Sequence, residues 1–306
     1  MTWKEFTYFA PTTLDEALAL LAEHGREARV LAGGTDLLLR LKTGQWRPRY
    51  IVNIKRVPGL DEISFDPASG LRLGTLVTAA SLARSEVVQA HYPALAQGAG
   101  VMASAQIRNL ATVGGNLCNG APSADLAPPL IALGGLAVVL GPDGQRQVPL
   151  DEFFLGPGQT ALEPGELLVG VTVPLPQPGS GAVYLKHSPR RAMDIAVVGV
   201  AVAMTKSQKS HPAPAGSPDP AAVCEDVRIV LGAVAPTPLR ARRAEELLRG
   251  QEITGERVAE AARTTAQEAR PIDDVRGSAW YRRRMVEVLT RRGLTQLTEE
   301  KRQMSK

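Results

Sequence analysis

Twice in its first half the chain runs an apolar stretch into a Gly–Gly pair flanked by hydroxyl or amide side chains. The two runs are Leu31-Ala32-Gly33-Gly34-Thr35-Asp36-Leu37 and Ala111-Thr112-Val113-Gly114-Gly115-Asn116-Leu117. Glycine lets backbone approach a neighbour without a Cβ in the way, so such loops turn bare N–H groups toward an anion, with Thr35 and Thr112 as further donors. A single Gly–Gly turn is as a rule only a turn. Two related loops in one domain point to convergence on one pyrophosphate. Neither loop continues into Gly-Lys-Ser/Thr, and neither has the G-x-G-x-x-G spacing of a Rossmann dinucleotide site.

The segments around the loops alternate between helix and strand. Leu14, Leu18 and Leu21 recur at helical spacing behind a Thr12 or Thr13 cap, with Asp15 and Glu16 in the first turn and Gly25 at the far end. Residues 29–32 read as a short buried strand entering the first glycine pair, and 50–54 and 71–75 as further strands. A helical region opens at 78–85, and 136–140 and 167–173 are strongly apolar strands. Pro174, Pro176 and Pro178 mark a domain boundary, placing a first domain at 1–176, divided near 56, and a second at 177–294. In the second, 182–186, 195–204 and 227–232 read as strands of one sheet. Stretches 240–249 and 255–270, with a last one around Tyr281, Met285 and Leu289, read as helices. The Pro- and Ser-rich stretch 206–220 is expected to be a flexible hairpin insertion, and 295–306 a polar tail.

Composition narrows the function. With 306 residues and 44% hydrophobic content the chain can bury a sizeable core. Its 35 basic against 31 acidic residues leave a formal charge of +4, too mild for a nucleic-acid or membrane-surface binder, and 4% aromatics offer few platforms for stacked bases. The N-terminal residues lack an apolar leader and no apolar stretch reaches the roughly 20 residues of a membrane span, so the expectation is a cytoplasmic chain with no integral membrane segment. Cys118 and Cys224 are too few and too far apart for a disulfide scaffold, a zinc site or an iron–sulfur cluster, and each is expected to be a small buried residue. The histidines His24, His91, His187 and His211 lack metal-ligand spacing. No catalytic residue and no metal ligand is assigned.

The runs 32–38 and 107–117, followed by Pro122-Ser123-Ala124-Asp125-Leu126, resemble the FAD-binding medium subunit of the molybdenum hydroxylases. This family covers the flavoprotein subunit of aerobic carbon monoxide dehydrogenase and the FAD domain of xanthine dehydrogenase. The likeness spans about 6–294. It implies an α+β fold: a two-lobed FAD-binding domain of the vanillyl-alcohol-oxidase (PCMH) type, then a smaller α+β domain with an antiparallel sheet and a helical bundle.

The resemblance also implies site residues. Ala32, Gly33, Gly34, Thr35, Asp36 and Leu37, with Thr112, Val113, Gly114, Gly115 and Asn116, would grip the diphosphate and adjoining sugar of FAD. Asp125 matches a cofactor-contacting aspartate, its bland alternative being a helix N-terminal residue. Leu168 matches a position whose backbone meets the flavin, although its side chain reads like any buried strand leucine. Lys186 matches a lysine beside the flavin ring, where a positive charge favours the anionic reduced form; otherwise it is a solvated strand lysine. Arg190, Arg191 and Asp194 read equally well as a plain salt bridge. The implied function is electron transfer in a complex, taking electrons from the 2Fe–2S clusters of a small subunit and passing them through FAD to an external acceptor. A large subunit holds the molybdenum cofactor, and the implied assembly is a dimer of heterotrimers. Two other readings stay open here, a stand-alone flavin oxidoreductase and a non-enzymatic nucleotide-binding module.

Overall fold

The computed structural model describes residues 5–190, 192–207 and 222–299. Arg191 and residues 208–221 of the expected insertion lie outside the described residues; Lys206, where that insertion was expected to begin, is still strand. The chain opens with a small parallel sheet of β1 (Thr7–Phe9), β2 (Ala28–Leu31) and β3 (Tyr50–Asn53), in the order β1-β3-β2. Parallel neighbours need crossovers. These are α1 (Leu14–His24) and α2 (Leu37–Lys42). Thr13 caps α1 by accepting from the Glu16 N–H at 3.2 Å, and Gly25 ends it at φ 47°.

A larger antiparallel sheet follows, made of β4 (Ile63–Asp66), β5 (Gly70–Gly74), β6 (Leu136–Gly141) and β7 (Gly144–Pro149). After the small hairpin of β8 (Phe154–Gly156) and β9 (Gln159–Thr160), β10 (Leu167–Val173) inserts at its centre, giving the order β4-β5-β10-β6-β7. Short helices fill the long connection between β5 and β6: α3 (Ala79–Arg84), α4 (Glu86–His91), α5 (Pro93–Gly100), α6 (Ala105–Arg108), α7 (Val113–Cys118) and α8 (Ala127–Ala132). They are short because the sequence restarts them repeatedly, with capping Thr78, Ser85 and Ser104 and with Pro93 in a first turn. Their apolar faces meet the sheet in a core that includes Leu71, Leu73, Leu82, Tyr92, Leu95, Leu117 and Leu130.

The last sheet is antiparallel: β11 (Ser180–His187), β12 (Val198–Lys206), β13 (Cys224–Gly232) and β14 (Leu239–Arg240) in sequential order. The helices α9 (Arg242–Leu248), α10 (Gly255–Glu268) and α11 (Ala279–Glu299) cover one of its faces. Side chains alternate between faces with period two. Thus Val200, Val202, Ile229 and Leu231 pack under those helices, while Tyr184, Ala201 and Val230 join the core shared with α5 and α8. A sheet buried on both faces is why 195–204 reads as a continuous apolar run rather than as an alternating one.

The expected tail is corrected in its first part. Helix α11 continues to Glu299, because Leu294 and Leu297, three residues apart, are both buried, and the Lys206 ammonium donates to the Leu297 carbonyl. Residues 300–306 lie outside the described residues. The two halves also meet through backbone. The Met193 N–H donates to the Ala103 carbonyl at 3.2 Å and the Ala233 N–H to the Pro122 carbonyl at 2.7 Å. Ala103, Met193 and Ala233 all hold positive φ, at 39°, 60° and 64°. For residues with a Cβ this is strained backbone. Among the described residues, no helix is long and apolar enough to cross a membrane.

Candidate functional site

The first glycine loop joins the end of β2 to α2. Gly34 takes φ 78°, a conformation that glycine adopts without penalty. Asp36 occupies the cap position of α2 without a side-chain capping bond. The N–H groups of Gly33, Gly34, Thr35 and Asp36 find no acceptor among the described residues. The loop is steadied through its carbonyls and its flanks, with the Lys55 ammonium donating to the Ala32 oxygen at 3.1 Å.

The second loop is organised differently. Thr112 caps α7, its hydroxyl accepting from the Gly115 N–H at 3.0 Å. The Val113 N–H donates to Val77 O at 2.8 Å and the Gly114 N–H to Thr75 O at 2.9 Å. A Cβ built on Gly114 would lie 1.7 Å from the Thr75 hydroxyl oxygen, so glycine is required there for packing against the 75–77 segment. Only the Thr112 N–H and hydroxyl hydrogen stay available among the first groups of this loop.

The structure brings the two loops together. A Cβ on Gly33 would lie 1.9 Å from the Leu110 carbonyl oxygen and 3.3 Å from the Ala111 Cα, so the first loop rests directly on the entrance of the second. Arg40 of α2 reinforces this contact: its guanidinium donates to Asn119 Oδ1 at 2.6 Å, just past α7, and stacks over Trp46 at 4.2 Å. Asn116 uses its side chain internally, its Oδ1 accepting from the Leu126 N–H at 3.3 Å, which ties the second loop to the 122–126 run.

That run delivers Asp125 to the second half of the molecule. Asp125 does not cap α8, whose cap position is Leu126 and carries no side-chain bond. Instead Asp125 Oδ2 accepts from the Lys186 ammonium at 2.8 Å and Oδ1 from the Tyr184 hydroxyl at 3.0 Å. The Asp125 and Lys186 side chains are only 7% and 6% exposed, so Lys186 is not a solvated strand lysine. Burial pushes the Asp125 carboxyl upward, against the lowering effect of Lys186 and of the Tyr184 hydrogen bond. Burial and the Asp125 charge hold the Tyr184 phenol well above the usual tyrosine range, so its hydroxyl remains a donor. Lys186 also donates to Val101 O at 3.1 Å and lines an open cleft of about 320 Å³ with His187, Ser188, Arg190 and Asp194.

Leu168 is a core side chain of β10, packed in the same cluster as Val113 and Leu117 and registered against Val139 of β6, so its side chain is not open to a ligand. The pairing of β10 with β6 slips between Leu168 and Gly170, and this irregularity turns Val169 O toward the Thr75 N–H at 3.1 Å. Arg190 and Asp194 form an exposed ion pair at 3.3 Å, and Arg190 holds the Asp194 carboxyl below the usual carboxylate range. Cys224 is buried as expected; Cys118, at the end of α7, keeps exposed surface, while burial pushes its thiol up to about 12. Sequence reasoning missed three participants: Tyr184, Arg40 and Asn119. The available signal for Tyr184 was its place two residues before Lys186, hence on the same strand face. For the Arg40–Asn119 pair no local signal exists.

Comparison with known proteins gives concordant results. The family described as the FAD-binding domain in molybdopterin dehydrogenase matches residues 4–176, and the CO dehydrogenase flavoprotein C-terminal domain matches 183–297. The chain is 36% identical over 289 residues to the carbon monoxide dehydrogenase medium chain of Hydrogenophaga pseudoflava, covering 94% of this chain and 96% of that one. It is 32% identical over 292 residues to the xanthine dehydrogenase FAD-binding subunit of Escherichia coli O157:H7, covering 95% of each. Among solved structures it is similar to the carbon monoxide dehydrogenase of H. pseudoflava lacking the Mo-pyranopterin moiety, with TM-score 0.88, 36% identity and coverage of 96% and 98%. It is also similar to quinoline 2-oxidoreductase from Pseudomonas putida 86, with TM-score 0.86, 28% identity and coverage of 98% and 99%.

Proposed function

We propose, for a chain that belongs to the family of FAD-binding subunits of the molybdenum hydroxylases and is thus an FAD-dependent oxidoreductase subunit, that it is the electron outlet of a three-subunit complex. In this reading a small subunit delivers electrons from 2Fe–2S clusters, a large subunit carries the molybdenum cofactor, and the assembly is a cytoplasmic dimer of heterotrimers. FAD, when bound, supplies a centre that accepts electrons singly and releases them in pairs to an external acceptor. The first domain, 1–176 with lobes divided near 56, is read as the PCMH-type FAD domain, and 177–294 with the rest of α11 as the C-terminal domain.

The observation that carries the reading is the contact of Gly33 with Leu110, which sets four uncommitted amides of 33–36 beside the Thr112 N–H and hydroxyl. Such a donor set fits a diphosphate, whose oxygens accept only. Ala32 to Leu37 hold it through backbone N–H groups, with the Thr35 hydroxyl as a further donor. In the second loop Thr112 is the backbone donor, Val113, Gly114 and Gly115 shape the cradle because their N–H groups are engaged within the fold, and Asn116, whose Oδ1 is taken by the Leu126 N–H, keeps its side-chain amide hydrogens as donors. Asp125 and Lys186 act at the flavin end: the pair is neutral overall, but it meets the cleft through its ammonium, and this oriented positive end favours negative charge developing nearby. Leu168 contributes backbone. The test is direct. The purified chain, offered FAD, retains it with a visible flavin spectrum and releases it on denaturation; a colourless product with no releasable flavin overturns the reading.

A further inference from the structure

Tyr184 is 5% exposed, and its surroundings are cut to its shape. A Cβ on Gly199, the residue opposite Lys186 in the β11–β12 register, would lie 2.6 Å from the Tyr184 hydroxyl oxygen. A Cβ on Gly98 would lie 2.8 Å from the Asp125 carbonyl and 3.6 Å from the Tyr184 ring. Gln97 Oε1 accepts from the Tyr184 N–H at 2.8 Å. Two glycines and a glutamine therefore hold the phenol where its hydroxyl reaches Asp125 Oδ1, and Lys186 takes Oδ2.

An ammonium has three hydrogens. Those of Lys186 go to Asp125 Oδ2 and Val101 O, and the third has no acceptor among the described residues while the side chain lines the cleft with His187, Ser188 and Arg190. We propose that Tyr184 is a positioning residue: by anchoring Asp125 Oδ1 it sets the rotation of the carboxylate, and through it aims the remaining Lys186 N–H into the cleft. This rests on the reading above, in which that end of the site faces the flavin. The groups that titrate or carry charge against Asp125 are Tyr184 and Lys186, both on β11. Helices α5, α7 and α8, packed around it, contain no Asp, Glu, Lys, Arg or His, and the one titratable side chain among them, Cys118, has its thiol pushed up to about 12 by burial and stays neutral across the pH range of the test.

The test uses Tyr184→Phe in the full chain, which keeps the ring in its slot. The first readout needs no cofactor. Losing the hydroxyl removes one influence that lowers the Asp125 carboxyl, so its folded-state value rises further above its unfolded one. A group raised on folding contributes stability that is complete below its unfolded value and lost as pH rises through the folded value. The thermal stability deficit of Tyr184→Phe is therefore smallest at acidic pH and grows at least about twofold toward pH 8. A deficit independent of pH means the phenol only packs, and overturns the proposal. The second readout is the FAD dissociation constant. Tyr184→Phe and Lys186→Met each raise it, and the double variant is no worse than Lys186→Met alone, because both changes act through one group. If the two factors multiply while wild type binds FAD, the proposal falls and the reading above stands; if wild type takes up no FAD, the reading and the aim into the cleft fall together.

Discussion

At 33–36 the backbone N–H groups have no acceptor among the described residues, whereas at 113–115 they are taken up by Val77 O, Thr75 O and the Thr112 hydroxyl. The two Gly–Gly pairs are nearly the same as strings, yet one leaves its donors open and the other uses glycine to let two backbone segments touch. Absence of a Cβ has two separate uses, exposure and approach, and the pattern alone does not say which is in force. Gly33 combines them: it lies among the open amides and also makes the contact with Leu110 on which the other loop depends.

The sharpest way to break this comparison is Gly114→Ala. The new methyl meets the Thr75 hydroxyl at 1.7 Å and the Thr75 carbonyl at 2.9 Å, both anchored in buried structure. Overpacking of this kind costs about 3 kcal/mol or more, read as a fall in melting temperature of roughly 2–4 °C per kcal/mol, with or without FAD. An unchanged melting curve would dissolve the distinction between the loops. Gly33→Ala comes next, because its methyl meets the Leu110 and Ala111 backbone at the loop contact and the loops part rather than the core. We expect about 2 kcal/mol of destabilisation and at least about tenfold weaker FAD retention in a dialysis assay. The smallest effects form a matched pair. Thr112→Val removes the α7 cap and costs about 1 kcal/mol in the FAD-free chain. Thr35→Val removes no cap, leaves FAD-free stability within about 0.5 kcal/mol, and weakens FAD binding severalfold in a fluorescence titration. Reversal of that order would assign the open donors to the other loop.

Much of this molecule was legible before any coordinates. The 3.6-residue pattern behind Thr13, the strands at 136–140 and 167–173 and the helix read at 255–270, which the structure ends at Glu268, follow from local periodicity and caps, which depend on near neighbours alone. Asp125 and Lys186 were found through their surrounding runs, and the structure pairs them. What escaped depends on distant partners. The fate of the Gly114 N–H is decided at Thr75, and the slot for Tyr184 is opened by Gly98 and Gly199. The end of α11 escaped because the residues from Thr295 onward read as a polar tail, whereas Leu297 is buried and Gly293 packs against Val202 and Val183, letting the helix pass close to the sheet.

Ala103, Met193 and Ala233, where the halves join, all hold left-handed backbone although none is glycine. Each such residue costs roughly 1–2 kcal/mol relative to an ordinary conformation. A seam so built carries strain at the very residues that bridge it, and the bonds from Met193 to Ala103 and from Ala233 to Pro122 hold that backbone in place. Glycine at those three positions would remove the steric penalty and at the same time free the unfolded chain, so the seam would exchange tension for looseness.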